Sequence, residues 1–347
     1  SNKIYGVISM TDIRLAVVIC TYQRPDRVSA LVHSILTQTR LPEEILVVDS
    51  SPIRWKPLRN DNRIRCITSS HANQPYQRYI GYLQTNCEWI LYLDDDMEPV
   101  DACSIEHVLN YCDSHPEASG FAIHFENRSS QNALSHVPIS TLFPKDSMLR
   151  KLKGWITGYP SLKPGEWGFC GNRGPQPKAG GVTHWLSGGA FCACREAMYQ
   201  NFNFQLFDLF EDKLNINEDA ILGYGLAKQG KLIYQPDILF YHNDAQQSHY
   251  SVQLKQYACR VMYSRLYLSY EKARLDHSSP GIARLHFKWY GFWRIGGYLV
   301  SRCVKRTEAS RQMLSGSLQG YKRALRSNFE YSQARNAFWQ VEAKKDQ

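Results

Sequence analysis

Apolar residues in the first hundred positions recur with two different periods. Short runs rich in β-branched residues are typical of parallel strands buried on both faces of a sheet. Between them, apolar residues from Val28 to Leu36 recur at helical spacing, and Pro25 suits the first turn of a helix. The predicted strands are residues 14–20, 43–51, 63–69 and 88–93, and a second helix is predicted over 75–86. Alternating strands and helices predict an α/β fold with a mostly parallel sheet flanked by helices.

Polar residues stand where these predicted strands end. In open α/β sheets ligands bind at the carboxyl ends of the strands, and Thr21, Asp49, Asp94, Asp95 and Asp96 fall at that edge. A single aspartate at the end of a strand is equally well explained as a turn-forming residue that binds nothing. Three adjacent carboxylates repel one another unless a cation or hydrogen-bond donors offset them, and Mg²⁺ or Mn²⁺ is the simplest such cation.

The middle of the chain changes character. Residues 128–181 are rich in Pro, Gly, Ser and basic residues, and a loop of that length in a compact domain is typical of a functional lid or of disorder. Trp155 and Trp167 favour an ordered segment over disorder, either a lid or a wall that contacts an acceptor molecule. Gly188 and Gly189 follow, and such a pair permits either close approach of the backbone to a ligand or a tight turn.

A second group of acidic residues opens a predicted helix of about ten residues. Glu218 and Asp219 stand at its start, where negative side chains also stabilise the positive end of the helix dipole. Residues 231–242 then predict two short extended pieces that end at His242.

Composition limits the class of protein. The chain has 347 residues, of which 43% are hydrophobic, and this is enough for a sizeable core. Ten scattered cysteines without a zinc-type CxxC pair, and without a signal peptide at the start, predict a reducing cytosol. No apolar run approaches the length of a membrane span, so we expect none.

Positive charge is concentrated at the C-terminal end. Residues 250–347 hold 18 Lys and Arg against six Asp and Glu, a net charge of +12, whereas residues 1–249 have a net charge of −3. Aromatic and basic residues alternate there at helical spacing, as around Trp289 and Arg294, which predicts a helix in a membrane interface. A helical cap that packs on the rest of the chain is the alternative. No nucleic-acid-binding module is present, so nucleic acid is not expected as a partner.

The ordered set of motifs resembles a known family. The set consists of "VVICTYQRPDR", "EEILVVDSS", "YLDDDMEP", "SGGAFCACREA", "NEDAILGYGL" and a late "YH", spread over residues 14–242. It resembles the inverting GT-A glycosyltransferases of family 2. The resemblance implies a catalytic domain over 12–249 followed by a basic helical region over 250–347. It further implies transfer from a UDP-, GDP- or dTDP-type sugar donor to a glycan or lipid-linked acceptor. Bacterial surface polysaccharide assembly at the inner face of the cytoplasmic membrane is the expected setting.

The resemblance assigns a role to each motif residue. The implied donor contacts are Thr21, Tyr22, Arg24, Asp49, Arg78, Asp94 and Asp95. The implied ligands of Mn²⁺ or Mg²⁺ are Asp96 and His242, the implied general base is Asp219, and the implied acceptor contacts are Trp185, Gly188, Gly189 and Glu218. The chain departs from the family at Arg78, which is followed by Tyr79 where relatives usually place asparagine.

Two other functions remain open from the sequence. A sugar nucleotidyltransferase would share the fold neighbourhood, but that class usually has a glycine-rich loop after the first strand, and "TYQRPDR" has no glycine. A carbohydrate-binding protein without activity would also share the fold, although the retained Asp96 and Asp219 argue against it.

Overall fold

A computed structural model of the chain describes residues 13–128, 148, 163–169, 171–199, 201–214, 217–243, 253–327 and 333–347. The first residues of the chain, Trp155 and most of the predicted 128–181 insert lie outside this part.

The described elements alternate between strand and helix as far as residue 242. The strands are β1 (Leu15–Thr21), β2 (Glu44–Asp49), β3 (Ile64–Thr68), β4 (Trp89–Asp94), β5 (Met97–Pro99), β6 (Ala118–Asn127), β7 (Gly181–Val182), β8 (Ala190–Cys194) and β9 (Lys231–His242). The helices are α1 (Pro25–Leu36), α2 (Gln74–Leu83), α3 (Ser104–Ser114), α4 (Arg195–Tyr199), α5 (Phe204–Glu211), α6 (Glu218–Gln229), α7 (Leu254–Leu275), α8 (Pro280–Lys305), α9 (Glu308–Arg326) and α10 (Gln333–Lys345).

The strands form one mixed sheet in the order β3-β2-β1-β4-β8-β6-β9-β5, with β7 paired to β9. Strands β1 to β4 run parallel, and all seven residues of β1 are buried, as their continuous apolar run predicts. The register places Thr21 opposite Asp49 and Cys20 opposite Asp94. The predicted α/β fold class, with a helical C-terminal region, is therefore confirmed.

Strand β8 runs antiparallel to β4 and brings a distant part of the chain to the same edge of the sheet. Leu93 pairs with Ala190, and the backbone N–H of Asp94 donates to the carbonyl of Gly189 at 3.0 Å. This pairing places the Gly188–Gly189 turn directly beside the three aspartates.

Residues 231–242 form one strand rather than the two predicted pieces. Pro236 has no N–H to donate, and the pairing with β6 shifts register between Ile123 and His124 at that point. His124 keeps the strand attached there, since its Nδ1 lies 2.9 Å from the carbonyl oxygen of Pro236. A bulge of this kind accommodates a proline without ending the strand.

Helices cover both faces of the sheet. Helices α1 and α3 pack on one face, while α2, α5, α6 and the C-terminal helices share a second core on the other face. Trp339 of α10 lies in that second core with 1% of its surface exposed. After α10, the Asp346 carboxylate accepts hydrogen bonds from the Ser70 backbone at 2.8 Å and the Tyr76 hydroxyl at 2.9 Å.

Among the helices of the described residues, none has the length and apolar character needed to cross a membrane. The division into domains at residue 250 stays a prediction, and the C-terminal helices share a core with α2, α5 and α6.

Candidate active site

Each of the three consecutive aspartates has its own set of partners. Asp94, at the end of β4, accepts hydrogen bonds from Gln74 at 2.6 Å and from Arg78 at 3.2 Å. Both donors lie on α2, one turn apart, and Asn73 caps the start of that helix by accepting a hydrogen bond from the backbone N–H of Tyr76. Burial raises the pKa of Asp94 to about 7, against the opposing charge of Arg78.

Asp95 is turned towards the end of β1. Its carboxylate accepts a hydrogen bond from the Thr21 hydroxyl at 2.8 Å and an ion-paired one from Arg24 at 2.9 Å. Burial raises the pKa of Asp95 more than these two partners lower it. Thr21, Arg24 and Asp95, which were predicted as donor contacts, therefore lie together.

Asp96 lies among basic side chains. Arg27 donates to its Oδ2 at 3.1 Å and Arg24 donates to the same atom at 3.3 Å. His242 Nε2 lies 3.2 Å from Oδ1, because pairing of β5 with β9 sets Met97 opposite His242. Although burial alone would raise it, the pKa of Asp96 is lowered by the hydrogen bond from His242 and by the arginine charges.

Asp96 and His242 converge as a pair of metal ligands would. Within the described residues no group of three or more His, Cys, Asp and Glu side chains could hold a metal ion. Mg²⁺ and Mn²⁺ are commonly bound by one or two protein groups together with phosphate oxygens of a substrate and water. The two residues present thus fit a cation that arrives with a diphosphate.

Arg78 connects the aspartates with the opposite side of the site. Its side chain is buried, and Nη2 donates both to Asp94 and, at 2.8 Å, to the carbonyl oxygen of Gly188. A Cβ atom added to Gly188 would lie 3.6 Å from Oδ2 of Asp219. The backbone of Gly188 thus lies between Arg78 and Asp219.

Asp219 is held at the start of α6. Asn217 precedes the helix in the left-handed region with φ of 74°, and its side chain accepts a hydrogen bond from Arg173 at 2.8 Å. Arg173 Nη1 lies 3.8 Å from Asp219 Oδ2, and its guanidinium lies 4.8 Å from the centre of the Trp185 ring. Trp185 and Gly188, predicted as acceptor contacts, therefore lie beside the predicted base.

Glu218 differs from its neighbour Asp219 in its surroundings. Burial and the adjacent Asp219 charge raise the pKa of Glu218, while Arg78 and Arg260 oppose the shift.

Gly189 packs more tightly than Gly188, since an added Cβ would meet the end of the Met97 side chain at 1.9 Å.

The surroundings of Asp49 and Tyr22 support their predicted contacts with a sugar donor less directly. The Asp49 carboxylate is buried and accepts hydrogen bonds from the backbone N–H groups of Ser51 at 2.8 Å and Trp55 at 2.7 Å. It therefore shapes the loop after β2, and its contact with a nucleotide base stays a prediction. Tyr22 is 47% exposed beside Arg24, so its side chain is open to a ligand.

The sequence did not single out Arg27 or Arg173. Arg27 could have been found, because "RPDR" places two basic residues three positions apart at the start of a helix. Arg173 lies in the irregular segment before β7, and only tertiary structure brings it to Asp219.

Comparisons with known proteins give one sequence match and several structural likenesses. The profile of Glycosyl transferase family 2 matches residues 16–169. No curated protein matches the chain at a significant level.

Among solved structures, the chain is similar to the mannosyltransferase PcManGT from Pyrobaculum calidifontis in complex with GDP-Man and Mn²⁺. That likeness has 11% identity, covers 96% of this chain and 86% of the other, and has a TM-score of 0.47. TarS residues 1–349 from S. aureus, in complex with UDP-GlcNAc, has 12% identity over 96% of this chain and 89% of its own, with a TM-score of 0.48. The resemblance to glycosyl transferase family 2 is confirmed over residues 16–169, the segment that carries the first strands and the three aspartates.

Proposed function

We propose that the protein is an inverting glycosyltransferase of the GT-A type that needs a divalent metal ion. It moves a sugar from a nucleoside-diphosphate sugar to a glycan or lipid-linked acceptor. The catalytic domain corresponds to residues 12–249, and the basic helical region to residues 250–347.

One observation supports this proposal above the others: a short series of contacts runs from the aspartates to the candidate base. Asp94 is bound by Arg78, Arg78 is bound to the carbonyl of Gly188, and Gly188 adjoins Asp219. A donor at the aspartates and an acceptor at Asp219 would meet beside Gly188, where the missing side chain leaves room. A single displacement needs this arrangement, with the base and the leaving group on opposite sides of the reacting carbon.

The residues divide the chemical work. Thr21 and Asp95, which are hydrogen-bonded to each other, would contact the nucleoside of the donor, and Arg24 and Arg27 would supply positive charge for its diphosphate. Asp96 and His242 would hold Mn²⁺ or Mg²⁺, which stabilises the negative charge of the departing diphosphate. Asp219 removes the proton of the acceptor hydroxyl as that oxygen attacks the anomeric carbon. Arg173, whose Nη1 lies 3.8 Å from Asp219 Oδ2, orients that carboxylate.

Helix α8 supports a membrane surface as a further partner. One of its faces is buried against the protein through Ala283, Phe287 and Tyr290. The opposite face exposes large apolar side chains at helical spacing: Ile282, Leu285, Trp289, Phe292, Leu299, Val300 and Val304. An exposed apolar stripe in a basic region is typical of a helix in a membrane interface. This fits a peripheral enzyme of bacterial surface polysaccharide assembly at the inner face of the cytoplasmic membrane.

A nucleotide-sugar screen tests the proposal. UDP-, GDP- and dTDP-sugars are added with and without Mn²⁺, and thermal unfolding is followed, because a ligand that binds only the folded state raises the midpoint. We expect one nucleotide class to raise the midpoint in the presence of Mn²⁺, and Asp96→Ala to remove most of that rise.

The control variant is Glu196→Gln, which also removes one carboxylate charge. Glu196 is exposed and follows β8 at the opposite edge of the sheet from the aspartates, so the variant should keep the full rise. If no nucleotide sugar raises the midpoint or is hydrolysed, the proposed function is wrong.

A further inference from the structure

A second cleft lies apart from the aspartate edge. It has a volume of about 890 Å³ and is bounded by α7, α9 and the segment that follows α5. That size is within the usual range for a site that takes a small molecule or part of a larger ligand. Its basic lining residues are Lys213, Lys255, Arg260, Arg311 and Arg323.

Positive charge dominates this cleft. The acidic lining residues are Asp212 and Glu308, which leaves a net charge of +3. Glu308 accepts hydrogen bonds from Arg311 at 3.0 Å and from Gln312 at 3.1 Å, so one acid is already engaged within the wall. Guanidinium and ammonium groups gathered in a concave surface favour phosphate or carboxylate ligands.

The walls of the cleft are closely packed. A Cβ added to Gly316 of α9 would lie 2.0 Å from the carbonyl oxygen of Lys255, and one added to Gly320 would lie 2.3 Å from that of Cys259. The backbones of α7 and α9 therefore touch. The guanidinium of Arg323 also lies over the ring of Tyr263, with 5.6 Å from Cζ to the ring centre. The cleft is thus formed before any ligand arrives.

The cleft lies on the acceptor side of the candidate site. Leu214 lines it and stands shortly before Glu218, the first residue of α6. Helices α6 and α7 pack on each other, and the charge of Arg260 on α7 acts on Glu218, where it opposes the raised pKa of that carboxyl. A ligand in the cleft would therefore contact α7, the helix that packs on α6 and whose Arg260 acts on Glu218.

We infer that this cleft binds an anionic group of the acceptor while a hydroxyl of the same acceptor reacts at Asp219. The inference rests on the proposed function and narrows it: the acceptor carries phosphate or carboxylate groups close to the sugar that is extended. Binding energy gained at the remote anion would position the reacting hydroxyl.

Two probes and three proteins test the inference. Sodium tripolyphosphate and trigalacturonate are titrated by calorimetry, without divalent metal, into the wild type and two double variants. Lys255→Gln with Arg323→Gln neutralises exposed bases of the cleft. Lys322→Gln with Arg326→Gln makes the same charge change at exposed positions of α9 outside the cleft.

We expect the cleft variant to bind at least one probe about tenfold more weakly than the wild type, or to lose one binding step, and the control variant to stay within about twofold. Loss with tripolyphosphate alone assigns a phosphate-bearing acceptor, and loss with trigalacturonate alone a carboxylate-bearing one. Gln319→Glu, which adds a negative charge at an exposed lining residue, should weaken the same probe without removing any packed side chain.

Equal affinities in all three proteins, equal losses in both double variants, or no binding of either probe to the wild type would overturn the inference. The nucleotide-sugar screen on the wild type separates this result from the proposed function. If that screen fails while the cleft binds anions, the proposed function and the link to an acceptor fall, and only anion binding by the cleft stands. If the screen succeeds and the cleft variant matches the wild type, only the cleft is rejected.

Discussion

Arg78 is a buried cation with carboxylates on two sides. It binds Asp94 directly, and the charges of Glu218 and Asp219 also act on it. Its Nη2 donates to both the Asp94 carboxylate and the Gly188 carbonyl oxygen, and the planar guanidinium fixes the directions of these two bonds. This residue therefore connects the aspartates with Gly188, which adjoins Asp219.

Asp219 is the residue on which the proposed chemistry depends most. Asp219→Asn keeps the shape of the side chain but cannot accept a proton. We expect it to lower the rate of sugar transfer, or of donor hydrolysis, by about 10²- to 10⁴-fold. The measurement is release of the nucleoside diphosphate from the donor that the screen identifies. The rise in unfolding midpoint with that donor should stay unchanged.

Glu218→Gln is the matched comparison, because it makes the same chemical change one position earlier. We expect it to raise KM for the acceptor more than it lowers kcat, since Glu218 is assigned to acceptor binding. A variant Asp219→Asn that retains the wild-type rate, or a larger loss of kcat in Glu218→Gln, would show that the base is wrongly assigned.

The periodicity of the sequence predicted the part of the candidate site that lies at the ends of strands. Burial on both faces identified β1, β2 and β4, and the rule for parallel sheets then placed Thr21 and the three aspartates at one edge. Arg173 could not be found in this way, because a contact between an irregular segment and α6 has no local pattern. Helix α3 and the continuous strand β9 were also missed, the latter because Pro236 is accommodated by a bulge that only pairing reveals.

At the scale of elements, α7 is attached to α6 through its C-terminal cap. Asp276 follows α7 and accepts hydrogen bonds from Lys228 at 2.7 Å and from the Tyr224 hydroxyl at 2.7 Å, both on α6. Lys272, one turn earlier on α7, binds its other oxygen. The helix that carries the candidate base and the first helix of the C-terminal region therefore share one partly exposed ionic contact.

This contact predicts a specific pH dependence of stability. Burial alone would raise the pKa of Asp276, but the hydrogen bonds from two lysines and a tyrosine lower it to about 2. An aspartate in an unfolded chain has a pKa of about 3.9. The carboxylate therefore stabilises the fold above pH 4, and this contribution is lost as the pH falls from about 4 to about 2. Since the group is partly exposed, we expect Asp276→Asn to lower the free energy of unfolding by about 1–2 kcal/mol at pH 7.

Urea unfolding at pH values from 7 down to 2.5 measures this difference. The gap between the wild type and Asp276→Asn should shrink below pH 4, whereas Glu196→Gln, at an exposed site, should follow the wild type throughout. A gap that is constant with pH would mean that the variant acts through packing and not through the charge of Asp276.

At the scale of the whole molecule, charge and apolar surface are separated along the chain. Residues 1–249 have a net charge of −3, and residues 250–347 have a net charge of +12. The inner face of α8 packs on the protein, as the helical-cap alternative expects, while its outer face is exposed, and its place in a membrane interface stays a prediction. A membrane surface would cover the outer face and bring a lipid-linked acceptor towards the α6 side of the site.

Vesicle sedimentation tests this orientation. Leu285 and Phe292 are each 65% exposed on the outer face of α8, so replacing both with Asp should leave the fold intact. Burial of two large apolar side chains contributes roughly 3 kcal/mol or more, and we expect the double variant to bind vesicles of phosphatidylglycerol and phosphatidylethanolamine at least about tenfold more weakly.

The control is Ile53→Asp with Leu58→Asp, which makes the same change at positions that are 90% and 89% exposed in the loop after β2. It should bind as the wild type does. Equal binding by all three proteins would contradict a membrane role for α8. So would a change from dimer to monomer in the α8 variant with vesicle binding unaltered, because the stripe would then be covered by a second copy of the chain.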